Sequence, residues 1–297
     1  MNKVIAIIGP TASGKTAASI KLAKELDTHV IAMDSMQIYR HMDIGTAKPS
    51  ALDMEGIPHH MLDVVEPDES YSVAEYKRAA TECIKSIQKM GKIPILVGGT
   101  GLYLKALCTD MHLGNTLGDE STRSKYEQFA KTNGNDALYA KLMEADEKSA
   151  LRLHPNDVRR IVRALEIFEL TGRRLSDRET SAPQSAFDMT IFGIATERSS
   201  LIERINQRVD MMIAQHLPQE VESLLTMGIS PEAQAMQGIG YKELIPCIRG
   251  QMALESAVET IKIRTRQYAK RQMTWFRATS DVHWITPNKI NQSLLEV

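Results

Sequence analysis

The chain predicts an α/β fold: a parallel β-sheet core, with an all-helical subdomain inserted into it. Three observations carry this expectation. The apolar runs at residues 4–8, 30–33 and 93–97 are continuous rather than alternating, the pattern of strands buried on both faces of a parallel sheet. Helix-patterned segments lie between them, so the first hundred residues alternate β and α. From about Gly114 the strand-like runs stop, and they resume at Met189.

Taken in order, residues 4–8 (VIAII) form the first predicted strand, a glycine-rich turn follows, and residues 15–26 have helical spacing. Residues 30–33 are a second strand ending at Asp34, and residues 73–90 a crossover helix. A third strand, residues 93–97, runs into Gly98-Gly99-Thr100-Gly101. Polar helices occupy the stretch up to about Phe187 and close with the turn-rich residues 176–183. Residues 189–195 resume the sheet, residues 201–225 and 255–277 read as helices, and residues 282–285 as a last strand. The expected division is therefore a core of residues 1–113 and 188–297, with residues 114–187 as the helical insertion. In such sheets, functional groups gather at the carboxyl ends of the strands.

Composition narrows the function. Of 297 residues, 43% are apolar and 25% charged, which argues against a disordered chain, a coiled coil or a fibre. No apolar run approaches the length of a membrane span or a signal-peptide core. A cytoplasmic protein with no membrane partner is expected. Cys83, Cys108 and Cys247 are far apart and outside any CxxC pattern, so neither a disulfide framework nor a cysteine zinc site is indicated. His59-His60 lacks a third ligand at metal spacing. With 36 Lys+Arg against 37 Asp+Glu the net charge is −1, so any surface for a polyanion must be local.

The most specific short motif is Gly9-Pro10-Thr11-Ala12-Ser13-Gly14-Lys15-Thr16, a match to G-x-x-x-x-G-K-[ST]. The glycines let the chain curl so that backbone N–H groups converge on an anion at a helix N-terminus. Lys15 adds a mobile positive charge, and the Thr16 hydroxyl is placed to take Mg²⁺. A strand before and a helix after complete the context, so a di- or triphosphate binds here on a P-loop, nucleoside-kinase-like core. The guanine-reading N-K-x-D pattern of GTPases is absent, since Asn291 stands where the Asp should be. A small-molecule kinase using ATP, with Asp34 as general base, stays open at this point.

Further motifs appear in a fixed order. Asp34-Ser35-Met36-Gln37-Ile38-Tyr39 is followed by Asp43-Ile44-Gly45-Thr46-Ala47-Lys48-Pro49, His59-His60-Met61-Leu62-Asp63 and Gly98-Gly99-Thr100-Gly101-Leu102-Tyr103. Asn156-Asp157 with Arg159, Arg160 and Arg163, then Gly238-Ile239-Gly240-Tyr241-Lys242-Glu243 and Arg266-Gln267-Tyr268-Ala269-Lys270-Arg271-Gln272 complete the set. With the phosphate loop, this ordered set resembles the tRNA dimethylallyltransferases, also called tRNA isopentenyltransferases, in their bacterial form. One departure is residues 117–122, which lack the family's D-P-x-L-R wording before Arg123.

The resemblance implies transfer of a dimethylallyl group from dimethylallyl diphosphate to N6 of adenine 37 in the tRNA anticodon stem-loop, releasing diphosphate. Residues 9–16 would then hold a departing diphosphate with Mg²⁺, and Asp34 would take a proton from the attacking amine. Thr100 would line the channel where adenine meets the donor, as a second catalytic residue. Ser35, Met36 and Gln37 would lie beside the base, Gln37 offering the paired donor and acceptor that fit an adenine edge. Contacts to tRNA are further implied for Arg123, for Arg159, Arg160, Ile161, Val162 and Arg163, and for Lys262, Arg266, Gln267, Lys270 and Arg271.

The charge pattern agrees with an RNA partner. Between residues 260 and 280 there are six basic residues and no acid. On a helix, Lys262, Arg266, Lys270 and Arg277 share one stripe, while Val258, Ile261, Tyr268, Trp275 and Phe276 share an apolar face expected to pack. In the insertion, Val158, Ile161, Val162, Leu165 and Phe168 make a core stripe opposite the arginines. A monomer is expected. A third class, a nucleotide-switched RNA-binding module, would need no base at Asp34.

Overall fold

The structure, a computed structural model, describes residues 2–109, 119–179 and 187–286. The expected turn at residues 180–183 and the Asn288–Asn291 stretch lie outside them. The chain divides into two compact units, one of Met1–Thr109 with Ser185–Val297 and one of Asp110–Gln184.

In the first unit the strands are β1 (Lys3–Ile8), β2 (Val30–Met33), β3 (His59–His60), β4 (Ile95–Gly98), β5 (Asp188–Ile194) and β6 (Val282–Ile285). All neighbours pair parallel, in the order β3-β2-β4-β1-β5-β6. The helices of this unit are α1 (Lys15–Glu25), α2 (Ala51–Met54), α3 (Val73–Lys89) and α4 (Gly101–Cys108) before the insertion. Those of the second unit are α5 (Glu120–Asn133), α6 (Asn135–Ala145), α7 (Glu147–Ala150) and α8 (Val158–Thr171). The first unit then resumes with α9 (Arg198–Ala214), α10 (Leu217–Thr226), α11 (Tyr241–Ile248) and α12 (Leu254–Arg277).

The continuous apolar runs have the expected cause. Along β1, Val4, Ala6 and Ile8 join one core with Tyr76, Ile84 and Leu104, while Ile5 and Ile7 join another with Leu22, Ala23 and Phe192. A strand sandwiched between helices has no polar face to alternate with. Helix α3 starts at a reciprocal cap: Glu75 N donates to Ser72 Oγ at 3.2 Å, and Ser72 N donates to Glu75 Oε2 at 2.7 Å. Such a cap contributes about 1 kcal/mol.

Residues 201–225, expected as one helix, form two. His216 takes a left-handed φ of 70°, and Pro218 opens α10; proline has no N–H to continue the preceding hydrogen-bond ladder. Residues 176–179, expected as turns, belong to a 3-10 segment, Leu175–Glu179.

The helical unit closes over Leu138, Leu142, Ile161, Val162 and Leu165. Glu166 is fully buried there, with its carboxylate bonded to Arg163, to Arg123 Nε at 2.8 Å and to Asp119 N at 2.8 Å. A buried carboxylate needs such partners because an unpaired one would be expensive to desolvate.

The ends of β2 and β4 are brought together by a missing side chain. A Cβ on Gly98 would lie 1.9 Å from the Met33 carbonyl oxygen, backbone that cannot swing aside. Gly98→Ala is expected to lower the unfolding free energy by about 3 kcal/mol, the upper range for overpacking, measurable by urea denaturation.

Candidate active site at the carboxyl ends of the strands

Three strand ends meet here. From β1 the chain enters residues 9–14, where Ala12 and Gly14 take φ of 63° and 89°. Gly14 precedes α1, and its conformation turns the loop back over the helix N-terminus. A Cβ on Gly9 would fall 2.7 Å from Ser13 Oγ. That hydroxyl is buried without a partner among the described residues, an orphan of the kind a bound anion satisfies. Lys15 Nζ donates to Pro10 O at 3.3 Å.

From β2 comes Asp34, half-buried, whose Oδ1 accepts Met36 N at 2.9 Å. From β4 come Gly99 and Thr100. The Thr100 hydroxyl accepts Ser35 N at 3.1 Å and lies beside the Tyr268 hydroxyl. The sequence-expected pair Asp34 and Thr100 thus stands on adjacent strands, joined through Ser35.

Helix α12 crosses these ends and ties them together. Gln272 Oε1 accepts Thr11 N at 2.9 Å, and its Nε2 donates to Gly99 O at 2.9 Å. One amide therefore spans the phosphate loop and the β4 exit. Gly99 makes room for it, since a Cβ there would lie 2.1 Å from Gln272 Nε2.

The electrostatics of this place favour an anion. Burial pulls Lys15 down to about 8, opposed by the Asp34 carboxylate and reinforced by the nearby Arg208 guanidinium. Burial also lowers Arg208, again opposed by Asp34. Two cations thus face one carboxylate. The same carboxylate, after burial, raises the Tyr268 hydroxyl. Arg208, on α9, was not among the sequence candidates. A single arginine in an amphipathic helix carries no motif, and its role became visible through its neighbours.

Other expected site residues take supporting positions. Gln37 Nε2 donates to Thr46 O and Ala47 O, both at 3.1 Å, so its amide donors hold residues 46–47. That leaves its carbonyl, rather than a complete donor–acceptor pair, for an adenine edge. Glu220, also missed, accepts Asp43 N, Ile44 N and Gly45 N at 2.9, 2.8 and 3.1 Å, and the Tyr241 hydroxyl at 2.6 Å. Lys48 bonds Tyr39 O, Asp43 and Asp63 at 2.8, 2.6 and 2.6 Å. Glu243 caps Gly240 N at 2.8 Å. The D-I-G-T-A-K and G-I-G-Y-K-E motifs therefore brace the segment that carries Asp34 to Gln37. His60 pairs with His29 at 3.0 Å, and no metal cluster of three such side chains occurs among the described residues.

The basic surfaces are more selective than helical projection implied. Lys262 is paired with Asp210 at 2.8 Å and Glu259 at 3.4 Å, and Arg266 with Asn206 at 2.6 Å. Both are held by neighbouring acid or amide groups, whereas Gln267, Lys270 and Arg271 are exposed. Trp275, expected to pack, is 39% exposed. In the helical unit Arg159 and Arg160 are exposed, but Arg123 and Arg163 serve Glu166. Ile161 and Val162, expected among tRNA contacts, are 0% and 3% exposed; as core side chains they cannot touch RNA. No helix among the described residues is long and apolar enough to cross a membrane.

Comparison with known proteins agrees with this geometry. A family model described as IPP transferase matches residues 37–279. A tRNA dimethylallyltransferase of Bacillus cytotoxicus is 47% identical over 283 residues, covering 95% of this chain and 89% of that protein. The tRNA dimethylallyltransferase of Halalkalibacterium halodurans is 44% identical over 299 residues, covering 99% and 95%. Among solved structures, the full-length tRNA isopentenylpyrophosphate transferase from Bacillus halodurans superposes with a TM-score of 0.73 at 43% identity, covering 100% of this chain and 94% of that one. A eukaryotic dimethylallyltransferase acting on tRNA superposes with a TM-score of 0.84 at 32% identity, covering 100% and 78%. With the family model matching residues 37–279 and relatives covering 95% and 99% of it, the chain belongs to the IPP transferase family.

Proposed function

We propose that this chain transfers the dimethylallyl group of dimethylallyl diphosphate to N6 of adenine 37 in tRNA and releases diphosphate, working in the cytoplasm as a monomer. The observation that carries this reading is that the Gln272 amide joins Thr11 N of the phosphate loop to Gly99 O, beside the Asp34–Ser35–Thr100 strand ends, with Lys15 and Arg208 both facing the Asp34 carboxylate. A leaving anion and a proton-accepting carboxylate are thereby accommodated in one cleft.

The chemistry balances within that cleft. As the allylic C–O bond breaks, its electron pair goes to the diphosphate, where the uncommitted backbone N–H groups of the phosphate loop, Lys15 and Arg208 stabilise the growing charge; Pro10 has no N–H, and those of Thr11 and Ser13 donate to Gln272 and Pro10. The adenine amine, whose lone pair is delocalised into the ring, forms the new C–N bond and loses a proton to Asp34. The Thr100 hydroxyl, which accepts Ser35 N, stands one strand over from the carboxylate and would help position the base. The Thr16 hydroxyl at the first turn of α1 and the Asp34 carboxylate are hard oxygen donors of the kind Mg²⁺ takes beside a phosphate. Thr16 would hold the ion, which when bound neutralises diphosphate charge.

An adenine stacked in a helix cannot reach such a cleft, so it must be turned out of an accessible loop. The exposed Arg159, Arg160, Gln267, Lys270 and Arg271 supply candidate contacts to the surrounding RNA.

The test is incubation with Mg²⁺ and unmodified tRNA, adding either dimethylallyl diphosphate or ATP. Prenylated adenosine in the digested RNA is the expected product; a phosphorylated product from ATP alone would select the kinase reading instead.

Asp34→Asn is expected to keep tRNA affinity but slow single-turnover transfer about 100-fold, the usual scale for a general base. Changing Lys270 and Arg271 together to Ala should weaken tRNA binding and flatten the plot of log affinity against log salt by about 1.5. For Lys15 the sign follows from its lowered value of about 8. A bound anion raises that value, so the complex keeps a proton that the free protein loses as pH rises. Affinity for diphosphate should hold below pH 8 and fall by up to about tenfold per unit above it. Calorimetry on Lys15→Arg, whose charge does not titrate, should lack that fall.

A further inference from the structure

Helix α12 carries an alternating aromatic and basic stripe, of which the reading above leaves Arg264 and Trp275 unemployed. Arg264, Tyr268, Arg271 and Trp275 follow one another at spacings of four, three and four, which places them on one side of the helix. Arg271 lies over the Tyr268 ring at 5.8 Å, and the Tyr268 hydroxyl reaches Thr100. At the end of this stripe Trp275 is 39% exposed. A tryptophan left in water forgoes the large benefit of burying its ring, so its position calls for a partner.

That position is defined closely. The edge of the indole that holds Nε1 rests on the backbone of Gly101: a Cβ there would lie 2.2 Å from Trp275 Cδ1 and 2.4 Å from Nε1. Only glycine admits the ring so near. Gly101 directly follows Thr100, so the exposed indole stands one residue from the hydroxyl beside Asp34. Leu102, the next residue, is also exposed. An apolar platform thus borders the mouth of the cleft, with the exposed Arg271 one helical turn away on the same stripe.

Turning a base out of a loop leaves its neighbours unstacked on one side, a loss that opposes extrusion. An aromatic ring at the rim can replace that stacking, and nearby cations can hold the phosphates on either side. We propose that Trp275 is a stacking platform for a base adjacent to the extruded adenine. This rests on the RNA reading of the site, and it makes Trp275 an RNA-positioning residue rather than part of the packed face of α12.

The chain has two tryptophans, Trp275 and Trp284, so Trp284→Phe leaves Trp275 as the sole indole reporter. With that variant, a stem-loop RNA carrying the target adenine should quench the emission. The same stem-loop made abasic at both neighbours of that adenine should quench it far less. In parallel, Trp275→Leu should weaken stem-loop binding about tenfold, the order expected for one base stack. Trp275→Phe should stay within about twofold, and neither should change affinity for dimethylallyl diphosphate. Unquenched emission on a bound stem-loop, or full RNA affinity in Trp275→Leu, overturns the inference. An equal loss of dimethylallyl diphosphate affinity also overturns it, since the ring would then be covering the prenyl chain. Failure of the unaltered chain to bind any stem-loop would overturn both this inference and the RNA reading, and is distinct from failure of a variant alone.

Discussion

The convergence of two cations on one carboxylate is the constraint around which the strand-end site is organised. Burial lowers both Lys15 and Arg208, and the Asp34 carboxylate opposes both shifts. Their summed charge exceeds that of the carboxylate, so a multiply charged anion entering beside them meets a net positive field. The buried, unpartnered Ser13 hydroxyl and the inward-turned loop make the same provision in hydrogen bonds. A site that merely recognised a neutral ligand would have no use for this imbalance.

Holding such groups requires backbone that does not relax. Gly98 lets β4 approach Met33, and the Gln272 amide joins Thr11 N to Gly99 O. Glu220 gathers three consecutive backbone N–H groups of residues 43–45. Where these backbone groups are buried, as at Gly99 O, the alternative to the bond is an unsatisfied acceptor, at about 1–3 kcal/mol. Precision at Asp34 and Thr100 therefore derives from side chains that touch no reactant. Their placement in α10, α11 and α12 explains why motifs distant along the chain belong to one site.

The parts legible in the sequence are those where chemistry imposes local order. Residues 9–16 need glycine, lysine and threonine at fixed spacing, and double-sided burial forces the unbroken runs of β1, β2 and β4. What was not legible depends on direction in three dimensions. Arg208 and Glu220 are lone charges on amphipathic helices, indistinguishable there from solvated ones. Helical projection assigned Trp275 to a packed face, but a wheel cannot show that the surface opposite is the bare backbone of Gly101. It likewise grouped Lys262 and Arg266 with Lys270, although α9 supplies Asp210 and Asn206 to the first two. Ile161 and Val162 share a segment with exposed arginines, and adjacency along a helix is not adjacency on its surface.

Helix α12 serves two purposes along adjoining strips of its surface. Gln272 points to the phosphate loop and bonds Thr11 N and Gly99 O, while Trp275 rests on Gly101 and is 39% exposed. Successive residues on a helix diverge by about 100°, so Arg271 and Gln272 are neighbours in the chain, yet the first is exposed and the second buried. The contacts at Thr11 and Gly99 and the contact at Gly101 are thus made from one helix, and the donor loop and the rim of the base site take their positions from the same element.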